Sequence, residues 1–127
     1  EALILAMNDV KESINSYTMN TESICIGAAS LEEEEYFQEN LKKVMATRER
    51  TKEALESMEF DVKESCTNFL FAAHKSVPAK EIFEALKHRG IYVRYFNKEK
   101  INNYLRITIG TEEQMELFLR AVKEILL

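Results

Sequence analysis

Glycine is scarce in this chain: Gly27, Gly90 and Gly110 are the only three in 127 residues. A cofactor-binding α/β domain uses several glycines where backbone must approach a phosphate. So few argue against a self-sufficient cofactor enzyme. Cysteine is also scarce. Cys25 and Cys66 have no Cys-x-x-Cys spacing and no histidine cluster beside them. Two free thiols in a reducing cytosol fit this pattern better than a disulfide, so a cytoplasmic location is expected. No run approaches about 18 consecutive apolar residues, and no membrane span is expected. No signal-peptide pattern is visible. Basic runs are short and the formal net charge is −5, which argues against nucleic acid or an acidic membrane as the main partner. An initiating methionine is missing too. The sequence opens at Glu1 inside a helical pattern, and it is expected to be a piece of a larger protein.

What is present suits one domain of ordinary size. Apolar residues make up 46%, enough for a real core. Residues 1–14 read as helix, with Leu3, Ile4, Met7, Val10 and Ile14 at three-to-four spacing. Turn formers from Asn15 to Thr21 break it, and residues 23–29 read as a second helix. The longest helix is expected over 31–58. Its apolar stripe, Phe37, Leu41, Val44, Leu55 and Met58, is interrupted by Arg48 and Thr51. That pattern suggests a helix leaving one core and entering another. The run Glu32 to Glu35 suits a helix start, where negative charge meets the positive end of the dipole.

The second half changes character. Residues 60–63 are a weak strand and 67–73 a clearer one, ending at His74. Pro78 suits the first turn of a helix, and Gly90 suits its left-handed stop. His88 in the last turn and His74 at the strand end both read as structural. Two further strand-like runs follow, at 91–96 and 104–110. The last helix opens with Thr111 as N-cap and Gln114 three residues on, a capping box. Met115, Phe118, Leu119, Val122, Ile125 and Leu126 form its buried stripe. Helices followed by β-(β)-α-β-β-α give an α+β fold: a small antiparallel or mixed sheet with helices on one face.

The two late strand runs carry the sharpest feature. Ile91-Tyr92-Val93-Arg94-Tyr95-Phe96 and Tyr104-Leu105-Arg106-Ile107-Thr108-Ile109-Gly110 each hold one arginine in an apolar segment. Side chains alternate faces along a strand. Ile91, Val93 and Tyr95 then share one face, and Tyr92, Arg94 and Phe96 the other. Likewise Leu105, Ile107 and Ile109 oppose Tyr104, Arg106 and Thr108. A hairpin centred near Lys100 puts Arg94 opposite Arg106, roughly 5 Å apart at Cβ. Like charges so placed repel unless an anion lies between them, and arginine grips a carboxylate or phosphate through two parallel hydrogen bonds. The other reading is two surface arginines whose stems pack on a solvated sheet face.

The residues resemble one family. Tyr104-Leu105-Arg106-Ile107-Thr108-Ile109-Gly110-Thr111 is similar to the C-terminal signature of histidinol-phosphate aminotransferases. Gly90-Ile91-Tyr92-Val93-Arg94 resembles their second arginine segment, and Thr67-Asn68-Phe69-Leu70-Phe71 their small-domain strand. Arg48-Glu49-Arg50 and Asn15-Ser16-Tyr17 fall in the expected order. The resemblance implies the small C-terminal domain of a fold-type I transferase that uses pyridoxal 5′-phosphate (PLP), preceded by interdomain helices. Residues 1–30 would be a helical remnant of the large-domain or interdomain region. Residues 31–127 would be the connecting helix and the small domain.

The implied reaction moves an amino group between L-glutamate and imidazole acetol phosphate, giving histidinol phosphate in histidine biosynthesis. Arg106 would hold the glutamate α-carboxylate, and Arg94 the phosphate or glutamate's distal carboxylate. The family's cofactor lysine matches no motif here and is expected upstream. Neither Lys52 nor Lys75 stands in a suitable setting. The resemblance therefore implies no catalytic residue in this chain, no PLP bound to it and no activity of the chain alone. A homo-oligomer, a dimer in the parent, is the expected assembly. The alternative is a free-standing module that binds an amino acid or phosphate without reaction.

Overall fold

The computed structural model describes residues 1–14, 17 and 19–127. Of the turn formers expected after the first helix, Asn15, Ser16 and Thr18 lie outside the described residues. The chain divides into two units, Glu1–Gln38 and Glu39–Leu127.

The first unit holds α1 (Ala2–Ile14), α2 (Thr21–Ser30) and the start of α3 (Glu34–Ser57). Helix α2 starts two residues earlier than its apolar pattern suggests. The reason is Asn20, whose Oδ1 accepts a hydrogen bond from the Ser23 N–H at 2.7 Å and so satisfies an orphan donor of the first turn. Helix α3 starts later than expected, at Glu34, and places Glu34 and Glu35 in its first turn. Leu3, Ile4, Leu5, Met7 and Val10 on α1 are exposed, as are Ile24 and Ile26 on α2.

The second unit is a four-stranded antiparallel sheet covered on one face by helices. Its strands are β1 (Phe60–Lys63), β2 (Phe69–His74), β3 (Arg94–Tyr95) and β4 (Leu105–Thr108), in the order β1-β2-β4-β3. Helix α4 (Ala79–His88) links β2 to β3, and α5 (Glu112–Leu126) closes the chain. Alternation sorts the side chains. Leu105 and Ile107 of β4 are buried while Arg106 and Thr108 are exposed. Val62, Leu70 and Ala72 join them in the core with Leu55, Ile82, Leu86, Met115, Phe118 and Val122. Each fully buried aliphatic of this set contributes about 1.5–3 kcal/mol relative to exposure.

Three details depart from the sequence expectation. Arg48 and Thr51, which interrupt the apolar stripe, are themselves buried, together with Thr47. The Thr51 hydroxyl donates to the Thr47 carbonyl at 2.7 Å, and Arg48 Nη1 donates to the Thr67 carbonyl at 3.0 Å. Upstream, Phe37 is exposed and Val44 half-buried. The polar stretch is where α3 joins this core.

Pro78 is the N-cap of α4, one residue before the first turn. It offers no capping side chain. Asn103 Oδ1, from the β3–β4 connector, accepts from the Ala79 N–H at 3.2 Å instead.

The run 91–96 is not a six-residue strand, since only Arg94 and Tyr95 pair with β4. The cause lies in the end of α4. Gly90 takes φ 75°, a conformation glycine adopts without steric penalty. The Gly90 N–H then donates to the Lys87 carbonyl and the Ile91 N–H to the Leu86 carbonyl, both at 3.0 Å. This is the paired bonding of a Schellman stop, and it ties Ile91 to the helix end.

Candidate anion-binding site

The register of the sheet brings the two arginines together. Arg94 on β3 is directly opposite Arg106 on β4. Both side chains project from the sheet face away from the helices, and both residues are exposed. Among the described residues neither guanidinium forms an ion pair with a carboxylate. Aromatic rings hold them instead. Arg106 Cζ lies 5.3 Å from the Phe69 ring centroid and 6.0 Å from that of Phe96. Arg94 Cζ lies 5.5 Å from Phe96. A cation over a ring face is attracted by the ring quadrupole, so the rings orient the guanidiniums without neutralising them.

A second cluster shares this face. Asp61 Oδ2 accepts from the Tyr104 hydroxyl at 3.1 Å and from Lys63 Nζ at 2.6 Å. Tyr104 stacks on Phe71 with centroids 4.6 Å apart and rings 11° from parallel. The hydrogen bond from Lys63, then that from Tyr104, holds the Asp61 carboxyl below its ordinary range. The same bond to Asp61 raises the Lys63 ammonium. Lys63 is thus answered within the protein, while among the described residues Arg94 and Arg106 have rings rather than carboxylates beside them.

Sequence alternation had already put Phe96 beside Arg94 and Tyr104 beside Arg106. What it missed is the contribution of β1 and β2: Asp61, Lys63, Phe69 and Phe71. Their alternation carried the signal, but strand order decides whether it matters, and strand order is non-local. His74 proves structural. It is buried, its Nδ1 accepts from the Ser76 and Val77 N–H groups at 3.2 and 2.9 Å, and its ring meets Phe60 edge-on. His88 is exposed at the end of α4. Cys25 and Cys66 are free and exposed. Among the described residues, no group of histidine, cysteine and carboxylate side chains is arranged to hold a metal ion. None of the described helices is long and apolar enough to cross a membrane.

The family model for aminotransferase class I and II matches residues 1–122. The chain belongs to the class I and II aminotransferases. Within that family it is similar to the histidinol-phosphate aminotransferase of Brachyspira hyodysenteriae, at 43% identity over 126 residues, 99% of this chain and 36% of that protein. The Clostridium beijerinckii histidinol-phosphate aminotransferase is 44% identical over 124 residues, 98% of this chain and 35% of that protein. The chain therefore spans about a third of the length of these curated relatives.

The histidinol-phosphate aminotransferase of Sinorhizobium meliloti, solved in complex with pyridoxal-5′-phosphate, superposes with a TM-score of 0.78. It covers 93% of this chain and 33% of its own, at 22% identity, a likeness of fold. The expected α+β architecture is the one these aminotransferases share. Lys52 Nζ donates to Glu64 at 2.6 Å, Lys63 is engaged by Asp61, and Lys75 stands exposed past the end of β2.

Proposed function

We propose that this chain supplies the substrate-gripping C-terminal segment of a histidinol-phosphate aminotransferase. The whole enzyme moves an amino group between L-glutamate and imidazole acetol phosphate. The observation that carries this reading is the pair Arg94 and Arg106, opposite one another on an open sheet face and without a carboxylate partner among the described residues. Both substrates are anionic at the end remote from the reacting carbon, one through a carboxylate and one through a phosphate. A guanidinium fork matches either group by two parallel hydrogen bonds. Arg106 holds the α-carboxylate of glutamate. Arg94 holds the phosphate, or the distal carboxylate when glutamate is bound.

The residues of this chain bind and orient. The cofactor lysine and the rest of the PLP site belong to the part of the relatives that the chain does not span, and no chemical step is assigned to residues here. The functional form is a cytoplasmic homodimer. A free-standing ligand-binding module is disfavoured by the family match over residues 1–122.

The test is an assay of the complete reading frame that contains this segment. Amino transfer from L-glutamate to imidazole acetol phosphate is expected to exceed transfer to unphosphorylated 2-oxo acids by at least tenfold in kcat/KM. A preference for an aromatic or aliphatic 2-oxo acid would overturn the substrate assignment. The chain alone is expected to bind no PLP, and a PLP absorbance band in it would contradict the division of labour.

A further inference from the structure

Two guanidiniums at directly opposed positions of neighbouring strands should drive each other apart. In this fold they stay on one face, and among the described residues no carboxylate pairs with either. Among the described residues, the ring that lies near both is that of Phe96, 5.5 Å from Arg94 Cζ and 6.0 Å from Arg106 Cζ. Phe96 is half-buried and leaves β3 on the same face as Arg94. The two arginines are not held equally. Arg106 has a second ring, Phe69, at 5.3 Å, and sits in a strand paired on both sides. Among the described residues Arg94 has the Phe96 ring alone, and it belongs to a two-residue edge strand.

We propose that Phe96 is a positioning residue: its ring is the shared platform that aims both guanidiniums at the anionic groups of one bound substrate, and Arg94 depends on it more than Arg106 does. This deepens the substrate reading above and rests on it. The asymmetry has a chemical use. A firmly held Arg106 suits the α-carboxylate of glutamate, the amino donor. A single-ring mounting suits Arg94, which must take either a carboxylate or the larger phosphate at the far end. Phe69 and Phe96 present their π faces to the cations. Replacing Phe96 by an aliphatic side chain of similar bulk keeps the packing and removes the quadrupole.

The experiment is a titration of this chain with inorganic phosphate at constant ionic strength, followed by the arginine side-chain Nε–H resonances in NMR. In the wild type both Arg94 and Arg106 signals are expected to shift. Phe96→Leu should weaken phosphate binding at least threefold. It should also move the ring-shifted δ-methylene protons of Arg94, and to a smaller extent those of Arg106, toward their positions in a free chain. Phe96→Tyr should restore both. The backbone amides of Leu105 and Ile107 report whether the sheet is intact, and Phe96→Met replaces the leucine variant if they are not. Equal phosphate affinity in wild type and in the folded aliphatic variant overturns the role of Phe96 and leaves the anion site standing. No perturbation of either arginine in the wild type overturns the anion site and the platform together.

Discussion

Arg48 is the side chain whose surroundings best explain its chemistry. A guanidinium that is nearly withdrawn from solvent is costly unless its donors are answered. Here Nη1 reaches the Thr67 carbonyl at 3.0 Å, while Nε and Nη2 reach Glu49 at 3.3 and 3.1 Å. The bond to Thr67 joins α3 to the turn that leads into β2. Charged hydrogen bonds of this kind are worth more than neutral ones. Arg48→Ala should lower the unfolding free energy by about 2 kcal/mol, read from the urea midpoint at unchanged slope. Arg94 and Arg106 are the opposite case. They are exposed, mounted on rings and, among the described residues, outside any ion pair, so truncating them should hardly change stability. From the sequence, all three were arginines inside apolar patterns. Only the fold separates Arg48, buried and bonded to the Thr67 carbonyl, from the exposed pair proposed to serve a ligand.

At the level of elements, the signature that ends at Gly110 and Thr111 has a mechanical reading. The Thr111 hydroxyl accepts from the Gln114 N–H, and Gln114 Oε1 accepts from the Thr111 N–H at 3.0 Å. A Cβ at Gly110 would collide with the Gln114 side chain where the capping box holds it. The glycine is there to leave that side chain room. Gly110→Ala should therefore cost about 1 kcal/mol, the usual worth of a lost N-cap. Thermal unfolding checks this, and an unchanged midpoint would mean that Gln114 is free to move aside. The box was legible in the sequence because its residues lie three apart, and the faces of β4 because alternation is local. The length of β3 was not legible. It depends on the hydrogen bond of Ile91 to Leu86, which belongs to the end of α4. Nor was the Asn103 cap of α4 visible, since its partners lie 24 residues apart.

Across the whole molecule, two behaviours follow from what is left exposed. Asp61, Glu64, Glu112 and Glu113 all titrate below the ordinary carboxylate range. Hydrogen bonds from Lys63 to Asp61, from Lys52 to Glu64 and from Arg50 to Glu112 are the leading causes. For Glu113 the leading cause is its own backbone N–H. A carboxylate whose folded value is depressed stabilises the fold fully above its unfolded value. That contribution is lost as pH falls through the folded one. The urea midpoint should accordingly hold from neutral pH down to about pH 5 and fall below about pH 4. The fall should shrink in high salt, because these pairs are exposed. A midpoint that rises on acidification would reverse the assignment.

The second behaviour is association. Leu3, Ile4, Leu5, Met7 and Val10 on one helix, with Ile24 and Ile26 on the next, are exposed, and large exposed apolar side chains in such number favour association. The chain alone should self-associate at micromolar concentration, and Leu3→Asp combined with Ile4→Asp should reduce it to a monomer. Light scattering decides between these, and a wild-type monomer would contradict the expectation.

The central claim is that the open sheet face grips the anionic ends of the substrates through Arg94 and Arg106. The most direct measurement is the affinity of the full-length enzyme for L-glutamate with Arg106→Lys. Lysine keeps the charge and loses the two-pronged geometry. The account predicts a dissociation constant raised at least tenfold, with the fold and bound cofactor unchanged. An unchanged glutamate affinity would contradict it.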